Sequence, residues 1–230
     1  MNGRGKSRRR PISMYRGREP TEGELSTRNY STLKADLIVV DESNSFSERA
    51  RGERKYLTVV CSRTSEFDRF ERLIDAAPSI KGVRKKYAHM RDTEVERIVR
   101  EIEKFAESEL IISEEHRYIH YPSLEDPDSK KRFYLSVLEM AVENSVNIDA
   151  DRAMIIILDN PPLDVYDSLW AFGERLHRTY PNVVWFETRP SSGTKVLQSH
   201  DVITGLVADD VESRTGKGKA FARISRYLRR

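Results

Sequence analysis

Four acidic residues stand where apolar packing gives no reason for a charge. Asp41 and Glu42 directly follow the apolar run LIVV, and Asp159 follows the run MIIIL. Asp201 interrupts the largely apolar segment VLQSHDVITGLVA. A buried carboxylate is costly unless it is paired or holds a metal ion. Carboxylates are hard oxygen ligands that suit Mg²⁺ or Mn²⁺, and two such ions about 4 Å apart can promote phosphodiester cleavage. Aspartates at two strand ends and on one helix therefore favour a divalent-metal site.

Each acid by itself also has a structural explanation. An aspartate after a strand is commonly a turn or cap residue, which applies to Asp41. Asp159 precedes Asn160, Pro161 and Pro162, a natural turn. Asp201 is harder to explain in this way, because aspartate has a low propensity for the interior of a helix. The metal hypothesis rests on the acids taken together.

The elements that would position these acids form an α/β pattern. Strands are predicted at about 36–41, 55–62, 110–121, 153–159 and 183–186. Helices are predicted at about 66–76, 128–146, 164–179 and 195–209. Another helix is predicted to begin at a capping box formed by Thr93 and Glu96. The last ten residues are predicted to form a short basic helix. Two early strands followed by alternating helices and strands predict a mixed sheet with helices on both faces.

The predicted helix 195–209 gives Asp201 two companions on one face, because residues three or four positions apart are neighbours on a helix. These companions are Gln198 and Gly205. The missing side chain of Gly205 would let this face approach the sheet closely. His200 is expected to point elsewhere, since successive residues are rotated by about 100° around the helix axis.

The motifs resemble a ribonuclease H-like family, the domain-of-unknown-function 3800 family. They are DES at 41–43, an aspartate after a later apolar strand, and LQ-x-x-D at 197–201 preceded by a serine-rich loop. The likeness spans roughly residues 36–209. Two positions depart from the family pattern: Asn44 stands where a glycine usually follows DES, and His200 replaces a small residue.

The resemblance implies a ribonuclease H-like fold and Mg²⁺ or Mn²⁺ as cofactor. It also implies that Asp41, Asp159 and Asp201 are catalytic metal ligands, with Glu42 as an assisting ligand. A fourth acid on the first long helix is not placed by the motifs, and Asp92 and Glu94 are the candidates.

Basic residues indicate a polyanionic partner, because cations bind phosphates with release of counterions. The chain has a formal net charge of +3, and its ends are strongly basic. We expect a disordered basic arm at 1–33, a ribonuclease H-like domain at 34–210 and a basic tail at 211–230. The candidate nucleic-acid contacts are Arg8, Arg9, Arg10, Lys85, Lys86 and Lys195. A solvated, solubilising surface is the alternative explanation of the same residues.

Composition excludes several classes of protein. The sequence contains no run of about eighteen apolar residues, so no membrane helix is predicted. The apolar segment that follows the basic N-terminus of a signal peptide is also missing. The single cysteine, Cys61, cannot form an internal disulfide and is expected in the core. A cytoplasmic location fits these features.

Three functions compete. The first is a metal-dependent nuclease that acts on RNA or DNA. The second is a catalytically degenerate ribonuclease H-like protein that binds nucleic acid or a ribonucleoprotein. The third, an amino-group methyltransferase, rests on DNPPL at 159–163 alone, because no glycine-rich turn follows any predicted strand.

Overall fold

The structure is a computed structural model. It describes residues 13–15, 35–43, 56–76, 79–80, 83–84, 87–120, 124, 126–146, 152–212 and 227–229. Of the predicted nucleic-acid contacts, Arg8, Arg9, Arg10, Lys85 and Lys86 lie outside these ranges, as does most of the predicted arm and tail.

Nine strands lie within the described residues. They are β1 (Ser13–Tyr15), β2 (Ala35–Ser43), β3 (Tyr56–Thr64), β4 (Ser79–Ile80), β5 (Val83–Arg84), β6 (Leu110–Tyr118), β7 (Ala153–Asp159), β8 (Val183–Arg189) and β9 (Leu228–Arg229). The α-helices are α1 (Phe67–Arg72), α2 (Asp92–Ile102), α3 (Pro127–Ser145), α4 (Tyr166–Thr179) and α5 (Lys195–Val211). Short 3₁₀ turns follow α1 at Leu73–Ala76 and precede α2 at Tyr87–His89.

Seven strands form one mixed sheet in the order β1-β8-β7-β2-β3-β6-β9. At its centre, β2 pairs antiparallel with β3 on one side and parallel with β7 on the other. β6 continues the antiparallel side, and β8 continues the parallel side. Strands β4 and β5 form a separate two-stranded ribbon.

Helices cover both faces of the sheet, as the near-continuous apolar runs of the central strands require. Side chains alternate between the faces along a strand. On β2, Leu37 and Val39 therefore enter a core with α1, α2 and α5, whereas Ile38 and Val40 enter a second core with α3 and α4. The predicted α/β fold class, a mixed sheet flanked by helices on both faces, is confirmed.

Several boundaries differ from the predictions, each for a local reason. The second helix begins at Asp92, and its N-terminal hydrogen bond joins the Arg91 amide to the Glu94 carboxylate, 2.8 Å apart, so the predicted cap of Thr93 and Glu96 is wrong. The segment predicted as one helix at 66–76 changes from α to 3₁₀ at Leu73.

Two short strands of the seven-stranded sheet come from segments for which no strand was predicted. Residues 13–15, within the predicted arm, pair with β8, and residues 228–229, within the predicted tail, pair with β6. The latter strand stands where a basic helix was expected. The neighbouring Tyr227 is buried and donates from its hydroxyl to the Phe105 carbonyl, 2.8 Å away.

Two further features agree with the composition. Cys61 is buried in the core, where burial raises the pKa of its thiol to about 12. Within the described ranges, no helix has both the length and the apolar character needed to cross a membrane.

Candidate functional site

The ends of β2 and β7 bring two of the predicted acids to one edge of the sheet. The strands run parallel, with Val40 opposite Leu158, so Asp41 and Asp159 leave the sheet side by side. Strand parity places both aspartates on the face covered by α5. Asp201 lies on α5 itself. The three aspartates therefore approach one another from two strands and one helix.

Glu42 belongs to the opposite face of the sheet, one position further along β2. There its carboxylate accepts a hydrogen bond from the hydroxyl of Tyr134 on α3, with 3.3 Å between the oxygens. The Glu42 backbone amide donates to Asp41 Oδ1 at 2.8 Å. Glu42 is thus linked both to its neighbour and to the helix on the other face.

The electrostatics of Asp41 report the crowding of negative charge. Burial raises the pKa of Asp41 well above its usual range, and the charges of Glu42, Asp159 and Asp201 raise it further. No cation is among the described groups that shift this pKa. We call Asp41, Glu42, Asp159 and Asp201 the carboxylate cluster, because their charges act on one another.

Glu42 is perturbed in the same direction. Burial, followed by repulsion from Asp159, raises the pKa of Glu42 to about 8, although the hydrogen bond from Tyr134 opposes the shift. Burial and the nearby Glu42 charge likewise raise the pKa of the Tyr134 hydroxyl. Excess negative charge is thus common to both faces of this end of the sheet.

Backbone amides from two loops orient the other two aspartates. Asp159 Oδ1 accepts from the amides of Asn160 and Ser191, at 2.7 and 3.0 Å. Asp201 Oδ2 accepts from the Tyr87 amide at 2.9 Å. Gln198, one turn before Asp201, donates to the Ser191 carbonyl at 3.0 Å. Gln198 therefore ties α5 to the loop that orients Asp159.

The carboxylate cluster has the donor chemistry of a Mg²⁺ or Mn²⁺ site, since it offers several carboxylate oxygens as ligands. The side chains are not gathered into a ready coordination shell. In the part of the chain that the structure describes, no three His, Cys, Asp or Glu side chains are grouped so as to hold a metal ion. The chemistry of the residues fits a divalent cation, whereas their arrangement in the structure does not form a ligand shell.

The remaining predicted residues lie elsewhere or in caps. Lys195 is the first residue of α5, and its exposed ammonium lies 3.7 Å from an Asp75 carboxylate oxygen. Asp92 and Glu94 lie in the first turn of α2, and neither is among the groups that shift the pKa of Asp41.

Gly205 allows a close contact between α5 and Tyr87, and not the close contact between α5 and the sheet that was predicted. A Cβ at this position would lie 2.0 Å from Cδ1 of Tyr87, so the missing side chain makes room for the Tyr87 ring rather than for the sheet. The Tyr87 hydroxyl also donates to Asp209 Oδ2 at 2.7 Å. Together with the Asp201 contact, this fixes the 3₁₀ turn Tyr87–His89 against α5.

Tyr134 and His200 are neighbours of the cluster that sequence reasoning did not assign to it. Tyr134 lies on the buried face of α3 with Val137 and Leu138, a helical spacing visible in the sequence. His200 is fully buried, and burial lowers its pKa to about 4. Its hydrogen-bond partner is the Val60 carbonyl on β3, and no local sequence pattern indicates this contact.

The fold and the carboxylate cluster define the class of protein: an α/β protein with a mixed sheet, helices on both faces and acidic side chains at the end of its central strands. No protein-family model matches the sequence, and no curated protein matches it significantly. Among solved structures, the chain is similar to one described as "Structure of the PCNA:RNase HII complex from Archaeoglobus fulgidus". That similarity has 14% sequence identity and a TM-score of 0.47, and it covers 80% of this chain and 77% of the other.

Proposed function

We propose that this protein is a metal-dependent nuclease that hydrolyses phosphodiester bonds of RNA or DNA. Asp41, Asp159 and Asp201 would be the catalytic metal ligands, and Glu42 would be an assisting ligand. Bound Mg²⁺ or Mn²⁺ would supply an activated water and stabilisation of the leaving oxygen.

The observation that supports this proposal most strongly is the raised pKa of Asp41. Its causes after burial are three carboxylates, those of the adjacent Glu42 and of the sequence-distant Asp159 and Asp201. Like charges that repel one another in a folded protein reduce its stability unless something binds them. A divalent cation at this position would remove the repulsion, and the fold has no packing need for four acids here.

The chain's own residues would orient the ligands. The Ser191 amide holds Asp159, the Tyr87 amide holds Asp201, and Gln198 links the two loops through α5. Tyr134 donates to Glu42, and Glu42 would have to give up this hydrogen bond to act as the assisting ligand.

We further propose that basic residues outside the cluster bind the phosphates of the substrate. They are Arg8, Arg9, Arg10, Lys85, Lys86 and Lys195. Kinship with the domain-of-unknown-function 3800 family, inferred from DES and LQ-x-x-D, is part of the same proposal.

The second candidate is a ribonuclease H-like protein that binds nucleic acid or a ribonucleoprotein without cleaving it. It is favoured by the absence of a grouped ligand set among the described residues. In this case, the amides that hold Asp159 and Asp201 would be ordinary loop and helix contacts.

Metal binding distinguishes the two candidates. Mn²⁺ should raise the melting temperature of the wild-type protein, because a ligand that binds only the folded state stabilises it. Asp41→Asn and Asp201→Asn should remove that increase. Glu96→Gln is the control, since Glu96 is an exposed carboxylate of α2 outside the carboxylate cluster, and its metal response should persist. An unchanged wild-type melting temperature would count against a metal-dependent nuclease.

Cleavage is tested with labelled RNA, DNA and hybrid substrates in Mn²⁺. We expect cleavage by the wild type and by Glu96→Gln, and at least a hundredfold loss in Asp41→Asn and Asp201→Asn, the scale of one important transition-state contact. Cleavage that survives both site substitutions would show that the site is elsewhere. Binding without cleavage would favour the second candidate.

A further inference from the structure

His200 connects the helix that carries Asp201 to the strand pair that carries Asp41. Its Nε2 lies 2.9 Å from the Val60 carbonyl oxygen. Because a carbonyl only accepts, the imidazole must be the tautomer that carries its proton on Nε2. Val60 is the residue on β3 that pairs directly with Asp41. One side-chain hydrogen bond therefore spans from the residue next to Asp201 to the residue beside Asp41.

This bond lies in a fully buried setting. His200 and Val60 both have no exposed surface, and the imidazole lies near the ring of Phe70, with 6.4 Å between ring centroids. A buried hydrogen bond cannot exchange freely with water, so breaking it leaves the Val60 carbonyl without this partner. The hydrogen bond therefore holds α5 at a fixed distance from the sheet.

We propose that His200 is a positioning residue that sets the separation of the Asp41 and Asp201 carboxylates. This rests on the proposed function, in which both are metal ligands. The Tyr87 amide fixes the rotation of the Asp201 side chain, whereas His200 fixes the distance of its backbone from β3. Groups that hold metal ligands in place typically change metal affinity about 10- to 100-fold when they are removed.

The primary test compares two substitutions of His200. In His200→Leu the donor is lost while an apolar side chain fills the site, and Mn²⁺ should bind at least about tenfold more weakly by titration calorimetry. In His200→Gln the terminal amide N–H replaces Nε2–H, and affinity should return to near the wild-type value. Wild-type Mn²⁺ affinity in a folded His200→Leu protein would overturn the proposal.

Tyr227→Phe is the control for a purely structural role. It removes another buried bond from a side chain to a backbone carbonyl, that of Phe105, remote from the carboxylate cluster. It should lower the melting temperature without weakening Mn²⁺ binding. If it weakened Mn²⁺ binding as much as His200→Leu does, His200 would have no specific positioning role.

A second measurement needs no metal. Asp41→Asn and Asp201→Asn, alone and together, give the coupling free energy between these positions from urea unfolding at alkaline pH. The coupling should be repulsive in the wild-type background and should shrink in His200→Leu but not in His200→Gln. An unchanged coupling would overturn the positioning role, whereas an absence of Mn²⁺ binding by the wild type would overturn only the nuclease proposal.

Discussion

The negative charges of the carboxylate cluster repel one another. Glu42 illustrates this, since burial and Asp159 raise its pKa from 4.5 to about 8. Between these two pH values the folded protein holds a proton that the unfolded chain has released. The free energy of unfolding must therefore fall as pH rises through this window.

Glu42→Gln should remove part of that fall. A single group contributes a slope of at most about 1.4 kcal/mol per pH unit. We expect urea unfolding in EDTA to give a flatter stability profile from pH 4.5 to about 8 for Glu42→Gln than for the wild type. Glu96→Gln, on the exposed surface of α2, controls for loss of a carboxylate in general. Parallel profiles for Glu42→Gln and the wild type would contradict the assignment.

Gly205 is a second residue whose role is set by one contact. A Cβ 2.0 Å from the Tyr87 ring cannot be accommodated without displacing that ring. Gly205→Ala should lower the free energy of unfolding by about 1–3 kcal/mol, the usual cost of overpacking. Gly193→Ala is the matched control, because a Cβ added there would meet nothing within 4 Å, and it should change stability by less than about 0.5 kcal/mol. Equal effects of the two substitutions would exclude the Tyr87 contact as the cause.

At the scale of elements, the long strands were predictable because they are long. The run at 153–159 was predicted with its exact bounds, and the central strands to within a few residues, since apolar and β-branched residues continue over the whole strand. The strands β1, β4, β5 and β9 have two or three residues each, too few to show a period. Their pairing depends on tertiary contacts that a local pattern does not contain.

The site was predictable to the same extent. The positions of Asp41 and Asp159 follow from where the apolar runs end, and the parallel pairing of β2 and β7 places them side by side. Contacts such as His200 with Val60 depend on the rotation and height of α5 over the sheet. Those quantities are set by the whole core and not by spacing along the sequence.

At the end of the sheet opposite the carboxylate cluster, ion pairs connect neighbouring strands. Asp36 on β2 is buried and forms ion pairs with Arg63 of β3 and with Arg152, which precedes β7 and whose Nε lies 3.1 Å from the carboxylate. One carboxylate thereby links three neighbouring strands. Here negative charge is compensated by two arginines.

Asp36→Asn should therefore destabilise the protein strongly. It leaves the largely buried guanidinium group of Arg63 without its counter-charge, together with the exposed one of Arg152. We expect a loss of about 3 kcal/mol in the free energy of unfolding, mainly from Arg63. Glu96→Gln breaks the exposed pair with Arg100, whose charged atoms are 3.7 Å apart, and should cost less than about 0.5 kcal/mol. Denaturant unfolding of both variants measures the contrast, and a small effect at Asp36 would contradict the three-strand role.

At the scale of the whole molecule, charge is divided between an acidic strand end and basic chain ends. Residues 1–12 include Arg4, Lys6, Arg8, Arg9 and Arg10 and no acid. The strand β1 begins directly after them and pairs with β8. A truncation that keeps β1 therefore tests the basic segment without removing a strand from the sheet.

Removal of residues 1–12 should weaken nucleic-acid binding and flatten its dependence on salt. Each lost phosphate contact lowers the slope of log affinity against log salt by about 0.7–0.9. Replacement of Arg8, Arg9 and Arg10 by lysine should retain most of the affinity, and replacement by glutamine should mimic the truncation. Fluorescence anisotropy over a salt series measures this, and an unchanged affinity at low salt would exclude the segment as a binding element.

The parallel pairing of β2 with β7 has a consequence for the order of folding. Residues 35–40 pair with residues 153–158, whereas β2, β3 and β6 form a meander of nearer neighbours. Contacts between distant parts of a chain form slowly, because a long loop must close first. We therefore expect Asp41 and Glu42 to meet Asp159 and Asp201 in a late step of folding, which their repulsion would oppose. A divalent cation that binds the carboxylate cluster should accelerate late folding as well as stabilise the folded protein.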